Sequence, residues 1–186
     1  MVVKKKETLQ ATELHQVGIK FTVRMSKNLF DISFSNGELK IPKLKITDST
    51  ESRMRNLAAF EQCHYAHENS YVCHYLIMLD YLVDTIEDVD LLVKNQIFEN
   101  WLGDNKIVSD MINKLCVGIH IGTGKFYFGD IFDQLDKYYK SPWNHWKAIL
   151  KRDYFNTPWA IISFIAAFFL LILTIIQTIV TIFPLN

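Results

Sequence analysis

Phe30-Asp31-Ile32-Ser33-Phe34-Ser35-Asn36-Gly37-Glu38-Leu39-Lys40-Ile41 decides the fold. Phe30, Ile32 and Phe34 alternate with polar neighbours before Asn36-Gly37, and Leu39 and Ile41 alternate after it. Apolar residues at a period of two mark half-buried strands. Asn-Gly supplies the positive φ angles of a tight turn, so the stretch predicts a β-hairpin. Upstream, Ile19, Phe21 and Val23 share the face of another strand; downstream, Leu44 and Ile46 continue the third run. Pro42 lacks an N–H and confines that run to a sheet edge or splits it. An antiparallel hairpin or meander over 19–46 follows. Thr12 to Gly18 reads as the end of a preceding helix, with Gly18 as its left-handed stop.

The period changes at Asp48-Ser49-Thr50-Glu51, where several side-chain oxygens can cap a helix. Helical patterns cover 51–66 and 70–83. Thr85 with Asp88 three residues on has the form of a capping box and opens a helix to about Asn95. Asp104 can cap another through Cys116, stopped at Gly118, and completes a helical stretch over 49–118. Gly122 and Gly124 lie in a loop. A juxtamembrane helical stretch over 129–155 meets Ser141-Pro142, a cap followed by a first-turn proline, and Thr157-Pro158 repeats the device. The expected fold is α+β and predominantly helical.

The chain carries 20 basic and 20 acidic residues. All precede Tyr154, and Trp159–Phe183 is almost continuously apolar. A spanning helix needs about 20 such residues. The organisation expected is therefore a cytoplasmic α+β domain over 1–153, a transmembrane helix over 158–183 and a far-side tail over 184–186. Lys137, Lys140, Lys147, Lys151 and Arg152 precede the span and no basic residue follows it. The positive-inside bias places the domain in the cytoplasm, giving a single-pass, tail-anchored topology. The length of the span favours the thicker plasma membrane over the endoplasmic reticulum. No apolar run follows the basic N-terminus, so it does not read as a signal peptide. Cys63, Cys73 and Cys116 are too few and irregular for a disulfide framework. Balanced charge gives no broad basic field, so nucleic acid is not an expected partner.

Cys63, His64 and His67 with Cys73 and His74 offer zinc-type ligands, but without paired spacing; a buried cysteine and surface histidines are expected, and no metal. Asp80, Asp84, Glu87, Asp88 and Asp90 read as a solvated helix start, where the macrodipole favours carboxylates. Gly122-Thr123-Gly124-Lys125 lacks the spacing and the hydroxyl of a phosphate loop. With no nucleophile–base constellation, neither enzymatic activity nor a cofactor is expected. Trp143, Trp146, Lys147, Lys151, Arg152 and Trp159 suit the headgroup region, the alternative being that Trp143 and Trp146 pack into the core. Within the span, Thr174, Gln177, Thr178 and Thr181, with the small pair Ser163 and Ala167, can contact a neighbouring helix. The threonines can instead bond their own preceding turn.

Asn56-Leu57-Ala58-Ala59-Phe60-Glu61-Gln62-Cys63, Asn100-Trp101-Leu102-Gly103, Tyr138-Tyr139 and Trp143-x-x-Trp146 resemble the plant domain of unknown function 247 family, the UPF0481-type membrane proteins. Asp153-Tyr154-Phe155-Asn156-Thr157-Pro158-Trp159-Ala160-Ile161-Ile162-Ser163 is the most specific part of the likeness. The resemblance runs from about Leu9 and covers only the C-terminal half of the family pattern. It implies a plant protein with one C-terminal span. Some members are implicated in pollen-side recognition, and the family brings no catalytic residues to carry over. The function expected is a membrane protein engaged in interaction, recognition or signalling. Its partners would be the bilayer and an unidentified protein, either a family member or a second copy. The alternatives are a membrane-tethered enzyme with an unrecognised site, or a truncated paralogue with little independent function.

Overall fold

The computed structural model of the chain describes residues 9–65, 70–119, 125–150 and 158–182. Helix α1 (Ala11–Gln16) leads into strands β1 (Lys20–Arg24), β2 (Ser33–Ser35), β3 (Glu38–Pro42) and β4 (Leu44–Ile46). Helices α2 (Thr50–His64), α3 (Tyr71–Leu82) and α4 (Ile86–Lys94) follow, then strand β5 (Phe98–Asn100). The remaining elements are α5 (Asn105–Leu115), α6 (Gly129–Tyr139), α7 (Pro142–Ile149) and α8 (Pro158–Ile182). The fold is α+β and mostly helical.

Local chemistry sets several of these boundaries. Gly18 has φ +93°, and its N–H donates to His15 O (3.0 Å) while Ile19 N–H donates to Leu14 O (3.0 Å). That is a Schellman stop, sealed by the burial of both Leu14 and Ile19. Asn36 and Gly37 take φ of 52° and 75°, so the β2–β3 turn has the primed geometry its dipeptide favours. Asp104 caps α5 by accepting Lys106 N–H at 2.8 Å.

The sheet departs from a meander. β3 lies at its centre, antiparallel to β2 but parallel to β1, with Phe21 opposite Leu39 and Val23 opposite Ile41. The chain crosses over between β1 and β2 through an Asn28 turn, whose side chain accepts Phe30 N–H at 3.0 Å. Arg24 closes the crossing, donating to Ser33 Oγ at 2.7 Å and pairing with Asp31 at 2.8 Å. Of the two effects open to Pro42, splitting is the one realised. β3 ends at Pro42, and β4 turns away to pair in parallel with β5, which the sequence pattern does not reveal. The 129–155 stretch is not one helix: α6 ends at Tyr139 and α7 begins at Pro142.

One core joins the sheet to α1, α3, α4, α5 and α6 through residues such as Leu14, Leu39, Met78, Leu92, Ile112 and Leu135. A smaller cluster of Ala58, Cys73, Leu76 and Leu115 attaches α2 to α3 and α5. Helix α2 itself buries only Thr50, Ala58 and Glu61.

Candidate functional site

Helices α6 and α7 are seated on two glycines. A Cβ on Gly37 would lie 2.7 Å from the Tyr138 hydroxyl, and one on Gly18 would lie 3.2 Å from Ala148 Cβ. Tyr138 stands edge-on to Phe34 with ring centres 5.7 Å apart. Between these contacts remains a cavity of about 320 Å³ lined in part by Lys20, Asn36, Glu38, Tyr138, Asn144 and Lys147. A second cavity of about 300 Å³, lined by Val17, Tyr139, Pro142 and Trp146 among others, adjoins it at Val17.

The outer side of α7 is open. Trp143 is 78% and Trp146 70% exposed, so neither packs into the core, and Lys147 is exposed beside them. Trp159, at the start of α8, is 77% exposed. Lys151, Arg152 and the Thr157 cap lie outside the described residues, as do His67, the Gly122–Gly124 loop and the tail. Helix α8 runs for 25 residues, and its Ile162–Ile179 window has mean hydropathy 2.5 with none of it buried. It is long and apolar enough to cross a membrane. Ser163, Ala167 and Gln177 are exposed along it. Its threonines bond their own preceding turns: Thr174 Oγ1 to Leu170 O, Thr178 Oγ1 to Thr174 O and Thr181 Oγ1 to Gln177 O, each at 2.8 Å.

Two buried carboxylates, Asp88 and Glu61, serve helix ends. Asp88 is fully buried rather than solvated as the acidic stretch suggests. One carboxylate oxygen accepts Thr12 N–H (2.9 Å) and Thr12 Oγ1–H (2.8 Å); the other accepts Asp84 N–H (3.2 Å), Thr85 N–H (3.0 Å) and Thr85 Oγ1–H (3.0 Å). It thus completes the capping box of α4 and caps α1 as well. Burial alone would raise its pKa, but the hydrogen bonds from Thr12, Thr85 and Asp84 outweigh it and hold the pKa below the ordinary value. Glu61 of α2 does the same for α3, accepting Val72 N–H at 2.8 Å and Cys73 N–H at 2.9 Å. Cys73 is also buried. Burial, then the Glu61 charge, pushes its thiol pKa up to about 12, where it is no nucleophile at neutral pH.

His74 is buried too, against the expectation of a surface histidine. Its Nδ1 accepts Tyr127 N–H at 3.2 Å, and burial lowers its pKa despite the opposing pull of Glu61. Cys63, by contrast, is exposed on α2. Among the described residues no group of three potential ligands could hold a metal ion.

The outer face of α2 carries a signal that periodicity misassigns. Leu57, Phe60 and His64 fall at i, i+3 and i+7, a stripe that a globular helix ordinarily buries. Here Leu57 is 49% and Phe60 51% exposed, and Tyr65 just beyond is 50% exposed. Phe60 stacks on His64 at 4.4 Å and meets Tyr65 edge-on at 6.0 Å. The aromatic run Phe60–Tyr65 is visible in the sequence, but not the direction it faces.

A family model described as a plant protein of unknown function, DUF247, matches residues 2–173. UPF0481 protein At3g47200 of Arabidopsis thaliana is 29% identical over 177 residues, covering 94% of this chain and 37% of that protein. Putative UPF0481 protein At3g02645 of the same organism is 24% identical over 168 residues, covering 89% of this chain and 31% of that protein. The chain therefore spans about a third of the length of the curated relatives it matches. No solved structure matches it.

Proposed function

We propose that this chain, which belongs to the DUF247 family of plant proteins, is a membrane-anchored interaction protein without enzymatic activity. In this reading α8 crosses the bilayer and the α+β domain stands in the cytoplasm, available to a second copy or another family member. The observation that carries it is α8 itself, which has no charged residue and no burial in its apolar window. At about 1.5 Å per residue its 25 residues extend about 37 Å, enough to cross with tilt, and favour the thicker plasma membrane. Lys137, Lys140, Lys147, Lys151 and Arg152 precede it, as the positive-inside bias requires of a cytoplasmic flank.

Trp143, Trp146 and Trp159 supply amphipathic rings, and Lys147, Lys151 and Arg152 supply charge, for the headgroup layer beside the span. The α2 stripe of Leu57, Phe60 and Tyr65 supplies exposed aromatic surface of the kind enriched at protein interfaces. The non-enzymatic reading draws support from Asp88, Glu61 and His74, all of which are occupied in holding backbone groups.

Microsomes oriented with the cytoplasmic face outward test the arrangement. Alkaline extraction should leave the chain in the membrane, and added protease should digest residues 1–150. Release by alkali would refute the anchor, and full protection of the domain would reverse the topology.

A further inference from the structure

We propose that the cavity of about 320 Å³ between the β2–β3 turn and α7 binds a phosphorylated polyol of the inositol-phosphate type, presented by a lipid headgroup. The inference rests on α8 being a membrane anchor for its lipid source, but not for its chemistry. Lys20 comes from β1, Asn36 from the β2–β3 turn, Glu38 from the first position of β3, Tyr138 from α6, and Asn144 and Lys147 from α7. Two ammonium groups and a phenolic hydroxyl are donors suited to phosphate oxygens. Among the described residues neither Lys20 nor Lys147 forms an ion pair with a carboxylate. Thr22, Lys40 and then the Lys20 charge hold the Glu38 carboxyl below its ordinary pKa, so Lys147 brings the charge least shared with that carboxylate.

Glu38 decides the class of anion. A carboxylate beside two lysines opposes a bare phosphate, yet it accepts hydrogen bonds from hydroxyl groups. Lys40, 3.4 Å from Glu38, offsets part of its charge. The carboxamides of Asn36 and Asn144 can donate and accept, which also suits a ligand that carries hydroxyls next to phosphate. Asn144 already donates to Tyr138 O at 3.2 Å, an arrangement that fixes its side chain at the cavity wall. The volume lies at the lower end of small-ligand pockets, on the scale of one substituted six-membered ring.

Position favours a lipid. Asn144, Lys147 and Ala148 line the cavity from α7, the helix whose other residues include the exposed Trp143 and Trp146. From Leu150 to Pro158 the chain can extend at most about 28 Å, so the cavity is tethered close to the point where α8 begins. A headgroup reaching this site would meet Lys20 and Lys147 together, residues that are far apart in sequence and that no pattern along the chain connects.

The test uses the full chain in neutral-lipid nanodiscs, with soluble inositol bisphosphate as one probe. Discs carrying phosphatidylinositol phosphate, or phosphatidylserine at equal total charge, form the second arm. Saturable binding of the soluble probe is expected, with Lys20→Gln and Lys147→Gln each weakening it about fivefold, as loss of about 1 kcal/mol per basic residue implies. Tyr138→Phe keeps the ring against Phe34 and should weaken binding while leaving the fold intact. In the lipid arm, the phosphoinositide should engage the chain and phosphatidylserine should not replace it.

No saturable binding by the wild-type chain, or binding indifferent to both lysine variants, would overturn the proposal. Binding of the soluble probe without engagement of the lipid would overturn the lipid source and retain a soluble inositol phosphate. Stable insertion into discs without probe binding would remove the cavity proposal alone. Failure to insert, with probe binding intact in detergent, would remove the anchor alone.

Discussion

The joint around Asp88 and the outer face of α2 invert one another. At the joint a carboxylate in an acidic run is fully buried, while on α2 an apolar stripe at helical spacing stands half in solvent. Both follow the same periodicity rule, which states which residues share a face and leaves open which face turns inward. What decides is supply and demand for polar groups. Asp88 is drawn inside because two helix starts need an acceptor there, and α2 stays outside because it buries only Thr50, Ala58 and Glu61, with Met54 half-buried against the core.

The sharpest way to break this contrast is Asp88→Ala. It would leave the N–H groups of Thr12, Asp84 and Thr85 without their acceptor, and a loss of about 3–5 kcal/mol in unfolding free energy is expected from urea titration. The same residue gives the stability an acid limb. Its folded pKa lies below the unfolded value of about 3.9, so its contribution is whole above that value and is lost as pH falls toward the folded pKa. His74 acts at higher pH. Its folded pKa lies below the unfolded value of about 6.5, so the unfolded chain takes up its proton first and stability declines as pH drops through that value toward the folded pKa. Thermal melts of Asp88→Asn should lose the lower limb and keep the upper one; an unchanged lower limb would show that Asp88 carries no such linkage.

Gly37→Ala should cost about 2 kcal/mol, since it strains a left-handed residue and drives Tyr138 off the turn. Gly103→Ala is the control. Gly103 has φ +82° but no atom within 4 Å of the added Cβ, so about 1 kcal/mol is expected. Equal losses in the two variants would mean that Tyr138 does not hold α6 against the hairpin. Glu61→Gln keeps one acceptor for the two N–H groups at the start of α3 and should cost about 1–2 kcal/mol by the same titration. Replacing Leu57 and Phe60 together by Ser should cost no more than about 2 kcal/mol, the share of two half-buried apolar side chains. A larger loss would mean that the α2 face is folded against something, and the contrast with Asp88 would fail.

What was legible in the chain was local. Asn36-Gly37 announces a hairpin because few dipeptides accept two positive φ angles, and Thr85 with Asp88 announces α4 because a capping box closes within one turn. Gly18 and Pro42 likewise act on their own neighbours. The pairing of β4 with β5 is not legible because the alternation of Leu44 and Ile46 reads as a continuation of β3, and β5 is three residues long, too short for a period to show. The parallel match of β1 to β3 escaped because alternation is the same in either direction. The second helix served by Asp88 lies 76 positions away at Thr12, beyond any local pattern. For the candidate site, the tryptophans of α7 and the apolar helix α8 were apparent from composition, whereas the approach of Lys20 to Lys147 depends on how α7 sits on Gly18.

The threonines of α8 limit how two such helices could recognise one another. Each hydroxyl hydrogen at Thr174, Thr178 and Thr181 is already given to a carbonyl of the same helix, so these oxygens can receive a further hydrogen but have none to offer. Two identical threonine stripes brought face to face would be two sets of acceptors, with the Gln177 carboxamide and, two turns or more before it, the Ser163 hydroxyl left to donate. Like-with-like pairing along this face would therefore turn on those two residues per helix. A different helix bringing its own donors would meet three ready acceptors.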